Sequence, residues 1–177
     1  MSNKASQPTA RSPTSGSIFE ERDNMGLLGR IFSGSARKLL QQMHRDIDVI
    51  QLAVFYKLAP NFKKQYGNDR GYTITAAVTN KLFGKVAPNH SQQDLELAEN
   101  LAADILRNDA EVRYAALMSC RAILLHEVDT KSGNEMFVWD NIQWMSTIWT
   151  LPPDQATPQG IRELARTFYD KYIPKKS

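Results

Sequence analysis

His126 and Glu127 open the pattern by which a helix presents two imidazoles to zinc, with the glutamate between them as general base. The second imidazole would stand at position 130, which is Thr130, so the ligand pair is missing and zinc proteolysis is excluded. His126 reads instead as a histidine at a helix C-terminus, favoured by the negative end of the dipole. Gly29 and Gly34 have the spacing that opens a phosphate loop. Ser35 and Ala36 stand where that motif wants Lys and Ser or Thr, and no strand leads into it, so the stretch reads as a hinge.

Cys120 lies among Met118, Ala122 and Ile123 with no base beside it, the setting of a small hydrophobe rather than a nucleophile. His44 and Asp48 are four residues apart and can meet on a helix, but Arg45 between them points to a solvated face. No paired carboxylates and no serine elbow occur, and no motif implies a metal or a cofactor. An enzyme would have to assemble its site from distant residues, with His44, His126, Asp140 and Gln143 as the candidates.

Two features suit binding better than catalysis. Residues 25–45 contain no acid between Asp23 and Asp46, yet carry Arg30, Arg37, Lys38 and Arg45. Leu27, Leu28, Ile31 and Phe32 beside Arg30, Arg37 and Lys38 can clip onto the domain as an arm, dock on a partner, or lie on an anionic membrane surface. Trp139, Trp144 and Trp149 recur every five residues, a rotation of about 140° beyond a full turn, so they form no single stripe. Trp144 and Trp149 read as core. Trp139 lies towards the polar side and is a candidate binding anchor.

The elements that would position these residues are helical. Between about 36 and 58, Leu39, Leu40, Met43, Ile47, Ile50, Val54 and Leu58 fall on one arc, with Ser33 or Ser35 as the cap and Pro60 as the stop. Val49, Leu52, Phe55 and Tyr56 widen the apolar surface and predict deeper burial of that end. Residues 61–73 read as a turn-rich connection and 72–84 as a shorter helix with Gly84 near its end. Ser91 and Asp94 open an amphipathic helix over about 91–107. Asn108 with Glu111 has capping-box spacing and predicts a new helix over 109–128, apolar nearly all round and therefore central. Residues 129–134 are a loop. The aromatic stretch 134–151 fits a helix better than a period of two, with a β-hairpin as the alternative. Pro158 starts a last helix over about 158–172, with Ile161, Leu164, Phe168 and Tyr172 inward.

The fold class that follows is all-α, an irregular bundle of five or six helices. The α+β alternative needs a hairpin at 134–151. Residues 1–24 hold five Ser, two Thr and two Pro, too little apolar surface to order the chain, and read as a disordered tail. Residues 25–35 are a basic, apolar arm, 36–174 a single helical domain, and 175–177 a short tail.

Across 177 residues, 22 basic side chains face 19 acidic ones, a balance that names no nucleic-acid partner. Such binding would need Lys63, Lys64, Arg70 and Lys81 to converge. A single cysteine and the lack of a long apolar run fit a cytoplasmic protein, with peripheral membrane association or non-classical secretion through residues 1–45 as the alternative. The leading expectation is a non-enzymatic helical interaction module with a protein partner: an adaptor, regulator or assembly subunit. Nothing in the pattern specifies an oligomeric state.

Overall fold

The computed structural model describes the backbone of residues 20–85, 90–126, 140, 142–146 and 155–175, and side chains from residue 34 onwards within those ranges. All its regular structure is helical: α1 (Glu20–Tyr66), α2 (Asn68–Leu82), α3 (Gln92–Asn108), α4 (Ala110–His126) and α5 (Pro158–Tyr172), with further helical residues at 142–146. Among the described residues there is no strand, so the chain is all-α. It divides into two units, Met1–Ala36 and Arg37–Ser177. The first is helical from Glu20. Of the expected tail, 1–19 lie outside the described residues and 20–24 belong to α1.

In the second unit, α2 packs on α3, α3 on α4 and α4 on α5. The core is built from Met43, Ile47, Ile50 and Val54 of α1, Ile74, Val78 and Leu82 of α2, Ala102 and Leu106 of α3, Val112, Leu117, Met118 and Ile123 of α4, and Ile161 and Phe168 of α5. Ala115 to Cys120 are buried without interruption, which makes α4 the central helix that its sequence predicts.

The helix ends follow side-chain chemistry. Ser91 Oγ accepts from the Asp94 amide at 3.1 Å, and Thr157 Oγ1 caps α5 by accepting from the Gly160 amide at 3.1 Å. Pro158 occupies the first turn of α5, where its missing N–H costs nothing. After α2, Gly84 takes φ +64° and the Lys85 amide donates to the Asn80 carbonyl, so a left-handed glycine closes the helix.

Three expectations about α1 are corrected. The helix does not start at a serine cap, because its backbone runs through Gly26, Gly29, Ser33, Gly34 and Ser35. A glycine costs a helix about 1 kcal/mol but leaves its hydrogen-bond ladder intact. Pro60 does not stop it either. Proline removes one bond of the ladder, and burial of Leu58, Ala59 and Phe62 on either side offsets that loss. The 61–73 connection therefore shrinks to Gly67, whose φ of +83° reverses the chain between α1 and α2.

Gly71, expected in that loop, lies inside α2 because the helices touch there. A Cβ at Gly71 would stand 2.6 Å from Lys63 Cα. Leu39, placed on the buried arc by periodicity, is 49% exposed. At the start of α4 the cap is Asp109 rather than Asn108. Asn108 is taken up as the last residue of α3, and Asp109 Oδ1 accepts from the Glu111 and Val112 amides.

Candidate functional site

α1 and α2 form an antiparallel hairpin, and its outer side is not closed. The second apolar stripe of α1 was expected to mark deeper burial, yet Leu52 is 46% and Tyr56 40% exposed, with Phe55 half-buried. These side chains line a groove of about 440 Å³ together with Ala59 and Lys63 of α1 and Tyr72, Ala76 and Thr79 of α2. Phe55 meets Tyr72 edge-on, with ring centroids 5.0 Å apart, and Tyr56 edge-on at 6.0 Å.

Polar contacts tie the walls together. Gln51 Nε2 donates to Asn80 Oδ1 at 2.9 Å, and Lys85 pairs with Asp48 at 2.5 Å where the hairpin opens. At the other end the Lys63 ammonium stands 6.0 Å over the Tyr72 ring. From Asp48 to Lys63 the wall spans fifteen residue steps, about 22 Å or four helical turns. Sequence reasoning missed this site because it read Leu52, Phe55 and Tyr56 as widening the buried face of α1. The available signal was that Leu52, Phe55, Tyr56 and Ala59 make a second stripe apart from Ile50, Val54 and Leu58, more apolar surface than one packed face needs.

A second cluster joins α1, α4 and α5. Lys57 lies between Asp109 at 2.6 Å and Glu111 at 3.1 Å, while Lys171 at 2.6 Å and the Tyr172 hydroxyl also donate to Glu111. Burial alone would raise the Glu111 carboxyl. The hydrogen bonds from Lys171, Tyr172 and Lys57 outweigh it and bring the carboxyl down to about 2. Burial alone would lower Lys57, yet its bonds to Asp109 and Glu111 leave it raised. Every polar group of the cluster has its partner in a neighbouring helix, the arrangement of a structural clamp.

The chain matches no protein-family model, no curated protein and no solved structure.

Of the interaction candidates singled out from sequence, the two with described side chains, Arg37 and Lys38, line neither place. Leu27, Leu28, Arg30, Ile31 and Phe32 lie on the α1 backbone, with side chains outside the described residues. Arg37 and Lys38 are exposed on α1, and Trp139 lies outside the described residues. Trp144 is half-buried against the core, with the Lys81 ammonium 4.8 Å over its ring, and Trp149 lies outside the described residues.

His126 ends α4, and its Nε2–H donates to the Ala156 carbonyl at 3.1 Å. Asp140 and Gln143 are exposed, and His44 is half-buried on α1. Burial pushes the Cys120 thiol up to about 12, and its Sγ–H donates to the Leu82 carbonyl. Among the described residues no group of three His, Cys, Asp or Glu side chains could hold a metal ion. Arg70 lies 3.8 Å from Asp94 and Lys81 3.6 Å from Glu99, so two of the four cations that a nucleic-acid surface would need together share their charge with acids. No helix among the described residues is long and apolar enough to cross a membrane.

Proposed function

We propose that this chain is a non-enzymatic interaction module that receives an amphipathic helix of a protein partner in the groove between α1 and α2. The supporting observation is a four-turn groove, apolar along Leu52, Phe55, Tyr56 and Ala59 and polar at both ends, in which Tyr56 and Tyr72 stay exposed. Recognition of this kind seats residues spaced i, i+3 or i+4 and i+7 of the incoming helix, and aromatic side chains dominate its energetics. The charges narrow the partner further. Asp48 and Lys85 neutralise each other, whereas Lys63 is an exposed cation at the far end. The helix that fits carries a carboxylate beside its apolar face where it meets Lys63.

The test is affinity purification of the tagged full chain from its native cells, in parallel with two variants. One opens the groove (Tyr56→Ala with Tyr72→Ala). The other, Tyr169→Ala, removes an equally exposed aromatic from α5. A stoichiometric protein retained by wild type and Tyr169→Ala but lost from the groove variant is the expected result. A protein that survives the groove substitutions, or no protein at all from wild type, overturns the reading.

A further inference from the structure

The groove between α1 and α2 suits a helix of particular chemistry, and the 48–63 stretch of α1 has that chemistry itself. At about 100° per residue, Asp48, Leu52, Phe55, Tyr56, Ala59 and Lys63 share an arc of about 100°. Leu52, Phe55, Tyr56 and Ala59 stand at i, i+3, i+4 and i+7, the spacing with which a helix enters a groove. One turn before Leu52 is a carboxylate, Asp48, whose side chain is 61% exposed. One turn after Ala59 is the exposed cation Lys63. A helix that offers Lys63 a carboxylate beside an apolar face is thus part of the chain that carries the groove.

We infer that the helix received by the groove is the 48–63 stretch of α1 from a second copy of this chain, docked antiparallel in a symmetric dimer. This rests on the groove as a site for a helix, and names the helix. A two-fold axis passing between Phe55 and Tyr56 sets Asp48 level with Lys63 of the second copy, Leu52 with Ala59, and Phe55 with Tyr56. Each pair occurs twice, as an isologous interface requires. Packed parallel, the same stretch would set Asp48 beside Asp48 and Lys63 beside Lys63, so charge selects the antiparallel arrangement. Size agrees with charge: Leu52 projects at 46% exposure, and Ala59, at 5%, forms a floor low enough to receive it. Lys85 is bonded to Oδ1 of Asp48, and a carboxylate can accept from a second cation through its other oxygen. Arg45, exposed and bonded to Gln42 on its own helix, stands level with Tyr66 of the second copy, a cation beside a ring rather than a like charge.

The experiment is sedimentation velocity of the purified full chain over a wide range of concentration, with thermal melts to show that each variant is folded. A monomer–dimer equilibrium is expected. Tyr56→Ala with Tyr72→Ala should weaken it on the order of 100-fold, and Tyr169→Ala should leave it unchanged. Asp48→Lys alone and Lys63→Glu alone each bring like charges together at both ends, and each should weaken the dimer on the order of tenfold. Mixing the two variants should restore dimers, because each end of the mixed pair again brings opposite charges together. Structural damage in either variant would not be rescued by the other. A monomer at every concentration overturns the inference. So does a dimer indifferent to the groove substitutions, or a pair of charge variants that does not recover on mixing. The groove reading fails separately: a different protein retained from native cells, and lost from Tyr56→Ala with Tyr72→Ala, would preserve it even for a monomeric chain.

Discussion

Phe55 on α1 and Tyr72 on α2 hold their rings edge-on at 5.0 Å and 67°, and among the described residues this is the one ring-to-ring contact that joins the two walls of the groove. Tyr72 is 57% exposed, so little of its surface is committed to the fold. An edge-on pair contributes about 0.5–1.5 kcal/mol. Tyr72→Ala should therefore cost no more than about 1 kcal/mol in urea denaturation while weakening a groove-bound helix at least tenfold, the scale of an interface hot spot. Phe55→Ala, which also leaves a gap beneath the groove, should cost about 2 kcal/mol of stability. A large loss of stability with unchanged partner affinity for Tyr72→Ala would reverse the assignment.

Gly71 and Gly34 are both helical glycines and should respond oppositely to alanine. A methyl at Gly71 meets backbone atoms at 2.6–2.7 Å, and backbone cannot swing aside. Gly71→Ala should push α2 off α1 and lower stability by about 2–3 kcal/mol. A methyl at Gly34 meets nothing within 4 Å, so Gly34→Ala should raise helicity and stabilise α1 by up to about 1 kcal/mol. Thermal melts followed by circular dichroism compare them directly.

The Glu111 clamp makes part of the stability depend on acid. The folded carboxyl releases its proton at about 2 against an ordinary 4.5, so it binds protons less readily folded than unfolded, and protonation favours unfolding. Its contribution is complete above pH 4.5 and is lost as the pH falls towards about 2. Glu111→Gln should lower stability by about 1–2 kcal/mol at neutral pH, a figure reduced for a carboxylate about a third exposed. The difference from wild type should fade across that acid window in denaturation curves measured pH by pH. Tyr172→Phe should raise the Glu111 carboxyl towards its ordinary value, read by NMR titration.

Cys120 is fully buried and its thiol is held near 12. Only the thiolate reacts with a disulfide reagent. Labelling of the native protein should therefore be slow and limited by opening of the core, then complete within the mixing time in denaturant. Rapid native labelling would mean that α4 is not the packed centre described here.

Where the sequence was legible, a local signal coincided with the tertiary outcome. Pro158 and the period of Ile161 and Phe168 located α5 to the residue, Ser91 located the start of α3, and the unbroken apolar run of α4 marked the centre. Two kinds of feature were not legible. Pro60 predicts a stop because its local cost is real, and only burial of its neighbours against other helices reverses that. Leu52, Phe55 and Tyr56 read as core because an apolar side chain beside a core stripe looks the same in sequence whether another helix covers it or nothing does. The groove depends on α2 standing where it leaves them open, a fact of packing rather than of spacing. Of the interaction candidates taken from sequence, Arg37 and Lys38 are exposed on α1 outside that groove.

Between Asp48 and Lys63, α1 serves three neighbours at once: Ile50, Val54 and Leu58 turn to the core, Leu52, Tyr56 and Ala59 to the groove, and Lys57 to Asp109 and Glu111. Helices normally absorb sequence drift on a face that answers to nothing, and these four turns have almost none. In a saturation mutagenesis of the whole chain this segment should be the least permissive stretch. Substitutions there would separate into those that remove the protein from the cell and those that leave it abundant but silent.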